Sequence, residues 1–265
     1  MLRGDLAFAG VPGVVYTPES GLNLPGIAFG HDWLAHAHRY GKMLEHLASW
    51  GIVAAAPDTE TGLAPSVLNL AFDLGATLDI ITGVRLGPGK ISVHPTKRGV
   101  VGHGFGGSAA VFTAAGIPAG PQRPKAVVAL FPTVCKPAAE QPARALKVPG
   151  LILTAPSEPI ALRSNATELA AAWPNATLRI VDKAKPAGLV EGRRLTRFIG
   201  LPGHDRATHK AVRALLTGYL LHALTGDKTY RDFTDPGVVL PRTSFPDPAG
   251  EPVTLENKVA ALLKG

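Results

Sequence analysis

The sequence predicts an α/β fold: a mostly parallel sheet with helices on both faces. Three features lead there. First, it contains short apolar runs that are continuous rather than alternating: GVVY (13–16), GIAF (26–29), GIVAAA (51–56), GVV (99–101), KAVVALF (125–131), GLILTA (150–155) and TLRIV (177–181). Strands take this form when both of their faces are covered. Second, the stretches between them carry helical spacing, and alternating β and α of this kind gives a parallel sheet. Third, RGVVGHGFGGSAA (98–110) reads as a strand, a sharp glycine turn and the start of a helix. Ligands of open α/β sheets gather at the carboxyl ends of the strands, so this turn is a site by position.

The helices follow from apolar residues that share a face. HRYGKMLEHLASW (38–50) places Tyr40, Met43, Leu44 and Leu47 together. SVLNLAFDLGATLDIITG (66–83) and RSNATELAAAW (163–173) are patterned alike. RATHKAVRALLTGYLLHAL (206–224) is the longest, with Val212, Leu215, Leu216, Tyr219 and Leu220 inward. Pro- and Gly-rich pieces at 116–124, 132–149 and 184–203 are loops. Nothing in the sequence reads as an internal repeat or an interdomain linker. The expectation is one domain over 1–265, with a core at about 13–233 and a proline-rich extension at 234–265 that ends in the amphipathic LENKVAALLKG.

At 46% hydrophobic and 18% charged residues, the chain can bury a substantial core. Its single cysteine, Cys135, has no intramolecular partner for a disulfide, which fits a reducing compartment. The N-terminus lacks an apolar run followed by a small-residue cleavage site, and no stretch reaches the roughly 18 apolar residues of a membrane span. A cytoplasmic protein with no membrane span is expected. The formal charge of +7 collects around Lys183, Lys185, Arg193, Arg194, Arg197, Arg206, Lys210 and Arg213. Only Phe198 is aromatic there, so stacking platforms for bases are missing and no nucleic-acid partner is expected. The cluster reads as a solvated basic face or as the setting for an anionic ligand near His204.

Gly102, His103, Gly104, Phe105 and Gly106 fit the G-x-S-x-G frame of a nucleophile turn, with glycine where the serine belongs. Such a turn holds its central residue in a strained conformation with φ above zero, which glycine adopts without steric cost. Gly102, Gly104 and Gly107 also match a dinucleotide-binding spacing. That fingerprint needs an acidic residue about 20 positions further on, and GPQRPKAVVALF (120–131) has none. No cofactor is expected.

The wider segment HPTKRGVVGHGFGGSAAVFTAAG resembles D-P-x-R-L-G-V-M-G-H-S-M-G-G of the cutinase-like polyester hydrolases. These are near relatives of the dienelactone-hydrolase branch of the α/β-hydrolases. Upstream, PGIAFGHDWLAHAHRYGKMLEHLASWGIVAAAPDT is similar to that family's strand, oxyanion loop, helix and strand ending in D-T, here Asp58 and Thr59. Downstream, KVPGLILTAPSEPIA resembles the acid turn, and LLTGYLLHALTGDKTYRDF the closing helix with its D-x-R-Y-x-x-F. The likeness runs in order over about 13–233 and implies the α/β-hydrolase fold and carboxylic-ester hydrolase ancestry.

Carried over residue by residue, the resemblance leaves the nucleophile position vacant at Gly104, puts the acid at Glu158 and puts the base at His204, with His209 its competitor. The oxyanion donors would be the amide of Phe105 and one from the Gly30–His31–Asp32 loop, with His31 preferred. Asp32 reads as a polar loop residue near the cleft, although GHDW also resembles the aspartate-nucleophile tetrad of dehalogenases. FPTVC (131–135) replaces the family's aromatic clamp, leaving Thr133 on the substrate side. His31, Asp32, His36 and His38 cluster without a helical two-ligand spacing, so no metal is expected. Ser108 falls about one helical turn beyond Gly104. The resulting expectation is a non-catalytic or impaired homologue that binds a small acyl or ester-like compound, or a partner. The alternatives are a serine esterase whose serine was removed and a hydrolase that uses water activated by His204.

Overall fold

The computed structural model describes residues 1–156, 163–192 and 204–246. Among these residues, nine strands form one sheet: β1 (Leu2–Asp5), β2 (Gly13–Thr17), β3 (Gly21–Gly30), β4 (Val53–Pro57), β5 (Ile91–His103), β6 (Ala126–Leu130), β7 (Gly150–Thr154), β8 (Ala176–Val181) and β9 (Thr243–Ser244). Their spatial order is β1-β2-β4-β3-β5-β6-β7-β8-β9. The run from β4 to β8 is parallel, and antiparallel partners close it at either side: β2 on β4 with β1 beyond, and β9 on β8. This is a mixed α/β fold of the kind the apolar runs predict. β1 and β9 lie outside the expected 13–233 core.

Among the described residues, six α-helices flank the sheet: α1 (Gly41–Ser49), α2 (Val67–Gly83), α3 (Phe105–Gly116), α4 (Glu140–Ala143), α5 (Ala166–Ala172) and α6 (Arg206–Thr225). Successive residues of a strand point to opposite faces, which divides the core in two. Ile27, Phe29, Ala54, Val101, Val128 and Leu153 face Met43, Leu44 and Leu47 of α1 and Val212, Leu216 and Leu220 of α6. Ala28, Ala55, Val100, Val127, Ala129 and Ile152 face Leu70, Leu74 and Leu78 of α2 and Ala110, Val111 and Ala114 of α3. Every residue of β4, β6 and β7 is buried, which is why these strands read as unbroken apolar runs. No helix among the described residues is long and apolar enough to cross a membrane.

Two chemistry-bearing loops emerge at the carboxyl edge of the central strands. β5 runs directly into α3 through Gly104, and β3 ends at Gly30 beside it, with Gly30 paired to Gly102. A Cβ at Gly102 would overlap the Gly106 carbonyl, and one at Gly106 would overlap the Gly30 carbonyl. The turn is therefore compressed against its own strand and against the loop that leaves β3.

Candidate active site

Gly104 has φ 54° and ψ −117°, a backbone conformation strained for any residue with a side chain. Its amide donates to the Leu130 carbonyl (2.9 Å), and its carbonyl accepts from the amides of Gly107 (3.0 Å) and Thr133 (3.3 Å). Thr133 thus lies against the turn. Ser108, fully buried, donates its hydroxyl to the Thr133 carbonyl at 2.6 Å. That bond turns Ser108 to the Thr133 loop.

The side chain of Asp32 fills the space above Gly104. A Cβ built on Gly104 would collide with Asp32 Oδ1 and Cγ and lie 3.0 Å from Oδ2. Oδ1 accepts two amide protons, from Phe105 (3.0 Å) and from Trp33 (2.8 Å). In a nucleophile turn the oxyanion is held by the amide after the nucleophile and by one from the loop that follows the third strand. Phe105 follows Gly104 and Trp33 lies in the loop that leaves β3, and one carboxyl oxygen takes both of their amides.

Three contacts fix the loop that delivers Asp32. Its amide donates to Tyr40 Oη (3.1 Å), and Tyr40 Oη lies 2.8 Å from His103 Nδ1 in a fully buried pair. His31, also buried, sets Nδ1 at 2.9 Å from the Asp32 carbonyl and Nε2 at 2.7 Å from the Thr59 carbonyl. The His31 ring thus holds the loop in place, and the loop amide that reaches Oδ1 belongs to Trp33. Trp33 is itself anchored, its indole N–H donating to the Leu63 carbonyl (3.1 Å) and the Arg163 guanidinium lying over its ring. Spacing alone gave no sign of Trp33 as a donor. The neighbouring acid in GHDW was the one available clue, since a short acidic side chain beside spare amides tends to take them.

His204 precedes Asp205, which caps α6 by accepting the Thr208 amide (2.7 Å). Its ring packs on that of His209, with centroids 4.2 Å apart. Burial, then Lys42, Arg213 and Arg206, lower the pKa of His204, with Asp205 opposing. Both histidines line a cleft between α1 and α6 whose walls include none of Gly104, Asp32, Phe105 or Thr133. The acid position, Glu158, lies outside the described residues. The turn, Phe105, Asp32, His31 and Thr133 are brought together, while His204 lines a cleft that has none of them in its walls.

His36, His38 and Asp58 come together with ligand-type atoms within 4.8 Å of one another. His31 and Asp32, grouped with the two histidines by sequence, do not join them. Asp58 Oδ1 already accepts the Ala37 amide (2.7 Å) and sits 3.3 Å from His36 Nδ1, so local hydrogen bonding accounts for the cluster.

A scan of protein-family models finds none that matches the chain, and a search of curated proteins finds no similar sequence.

Proposed function

We propose that the chain is a non-catalytic homologue of the α/β-hydrolases, of the cutinase-like and dienelactone-hydrolase branch, that binds a small acyl compound instead of cleaving an ester. One observation carries this reading: the Asp32 carboxyl group stands where a nucleophile's side chain would rise and takes both amides that would stabilise an oxyanion. Glycine at 104 removes the Oγ that forms an acyl-enzyme. Asp32 removes the other half of the machinery, because donors already engaged offer nothing to a developing negative charge.

The test is hydrolysis of short-chain p-nitrophenyl esters, with fluorophosphonate labelling, by the unaltered chain, Gly104→Ser, and Gly104→Ser with Asp32→Ala. The unaltered chain and the single variant are expected to be inert. In the double variant the donors are freed, and any recovered turnover or labelling should occur there alone. Ester hydrolysis by the unaltered chain that disappears in His204→Ala or Asp32→Asn would overturn the proposal. Full activity in Gly104→Ser alone would do the same, because it would mean that Asp32 closes nothing.

A further inference from the structure

A groove of about 570 Å³ runs between α1 and α6, a volume suited to a small-molecule ligand. Its two ends differ in chemistry. At one end Lys42 on the first turn of α1 faces Arg206, Lys210 and Arg213 on the first two turns of α6. At the other, Trp50 meets Tyr230 edge-on (ring centroids 6.5 Å apart), and Tyr230 meets Phe233 (6.3 Å). The Phe233 ring lies on the bare backbone of Gly218, where no side chain would fit. Lys42 and Trp50 are eight residues apart, about 12 Å along a helix axis. No acidic side chain is among the groove's described lining residues. Two carboxyls lie close to this end without lining the groove: Glu191 accepts the Lys42 amide (3.0 Å) and offsets part of the charge of Lys42 and Arg213, and Asp205 caps α6.

The basic end also holds buried polar atoms without well-formed hydrogen bonds. His209, only 3% exposed, has its ring beside the Leu189 carbonyl and makes no well-formed hydrogen bond from either ring nitrogen among the described residues. The same is true of His204 Nδ1 and Arg213 Nε. Buried polar atoms are nearly always paired, so the N–H groups among these nitrogens leave room for an acceptor at this end of the cleft.

We propose that this groove binds an amphiphilic monoanion, an acyl tail ending in a carboxylate. The head group sits among Arg206, Arg213, Lys42 and the two histidines, and the tail runs along the groove to Trp50 and Phe233. The site is separate from the Gly104 turn and stands whether or not that turn is catalytic.

Calorimetric titration with dodecanoate below its micellar concentration tests it, with dodecanol and acetate as controls. Dodecanoate is expected to bind saturably at one site per chain, with acetate and dodecanol each weaker by about tenfold or more. The double variant Arg206→Gln/Lys210→Gln changes two exposed side chains and leaves the fold intact. It should weaken dodecanoate binding by a similar factor, and Trp50→Ala should weaken it as well. The Gly104→Ser/Asp32→Ala variant should bind as the parent does. No saturable binding, equal binding of the alcohol and the acid, or indifference to the α6 substitutions would overturn the proposal. Loss of binding in the Gly104→Ser/Asp32→Ala variant would also overturn it, by placing the ligand at the turn.

Discussion

Around Gly104 the amides of Phe105, Gly107, Trp33 and Thr133 find acceptors within the chain, whereas between α1 and α6 buried side-chain nitrogens lack well-formed hydrogen bonds among the described residues. The two regions lie on one sheet and begin at its same edge. At the turn, Phe105 and Trp33 give their amides to Asp32, and Thr133 gives its own to Gly104. In the groove, His204, His209 and Arg213 keep nitrogens without well-formed hydrogen bonds among the described residues, beside a lining rich in cations. A site that has satisfied itself has little left to offer a substrate. Unmet hydrogen-bonding capacity, rather than ancestry, marks where a ligand gains most.

The largest expected effect comes from forcing the saturated turn open. Gly104→Ser places a Cβ where Asp32 Oδ1 now sits, at a residue with φ 54°. The carboxyl group must swing away and give up two amide bonds while the new side chain carries backbone strain. A loss of about 2–4 kcal/mol is expected, read from urea unfolding. Asp32→Ala in the same chain should recover part of it, because the overlap disappears with the side chain. The two substitutions would then be strongly non-additive, as residues in contact are. Additive losses would show that Asp32 moves aside freely, and the contrast between the regions would weaken.

A smaller effect should sharpen the description of the groove. Burial, then His204 and Arg213, push the His209 pKa down to about 4, with His103 adding slightly and the Leu189 carbonyl opposing. An unfolded imidazole titrates near 6.5. Between those values the unfolded chain takes up a proton that the folded chain refuses. Stability from this group is therefore complete above about pH 6.5 and is lost as the pH falls towards about 4. The loss should reach about 2–3 kcal/mol over that window at low ionic strength. The pKa values of His204, His46 and His38 are also lowered, so they slope the same way. His209→Asn should flatten the curve between pH 6.5 and 4, and an unchanged slope would mean that the His209 ring is not held in the dry position described.

The parallel strands were legible because β4, β6 and β7 are covered on both faces and must be apolar throughout. The edge strands were not. β1 (LRGD) is exposed along its length and carries no apolar signal, and β9 is two residues long. α3 was readable only at its start, since FGGSAAVFTAAG has poor helix formers and is helical through packing against β5, β6 and α2. The glycine turn was plain from local spacing. The placing of Asp32 over it was not, because Asp32 and Phe105 stand 73 positions apart and meet only once β3 and β5 pair. The groove has the same character: Arg206, Lys210 and Arg213 stood out as a basic cluster, but Lys42 and Trp50 join them only through the packing of α1 on α6. Glu158 lies beyond what the described residues address.

The smallest expected effect concerns Ser108, the hydroxyl nearest to the vacant position along the helix. If the turn is closed as described, Ser108 serves the loop and not a substrate. Its Oγ–H donates to the Thr133 carbonyl at 2.6 Å, and the Thr133 amide in turn donates to the Gly104 carbonyl at 3.3 Å. Ser108→Ala therefore removes one buried hydrogen bond and leaves a carbonyl short of one donor, for a cost of about 1 kcal/mol in urea unfolding. It should leave fluorophosphonate labelling at background, as in the unaltered chain. Labelling that is present in the unaltered chain and vanishes in Ser108→Ala would mean that this hydroxyl reaches the cleft, and the turn would then have exchanged one nucleophile for another a helical turn away.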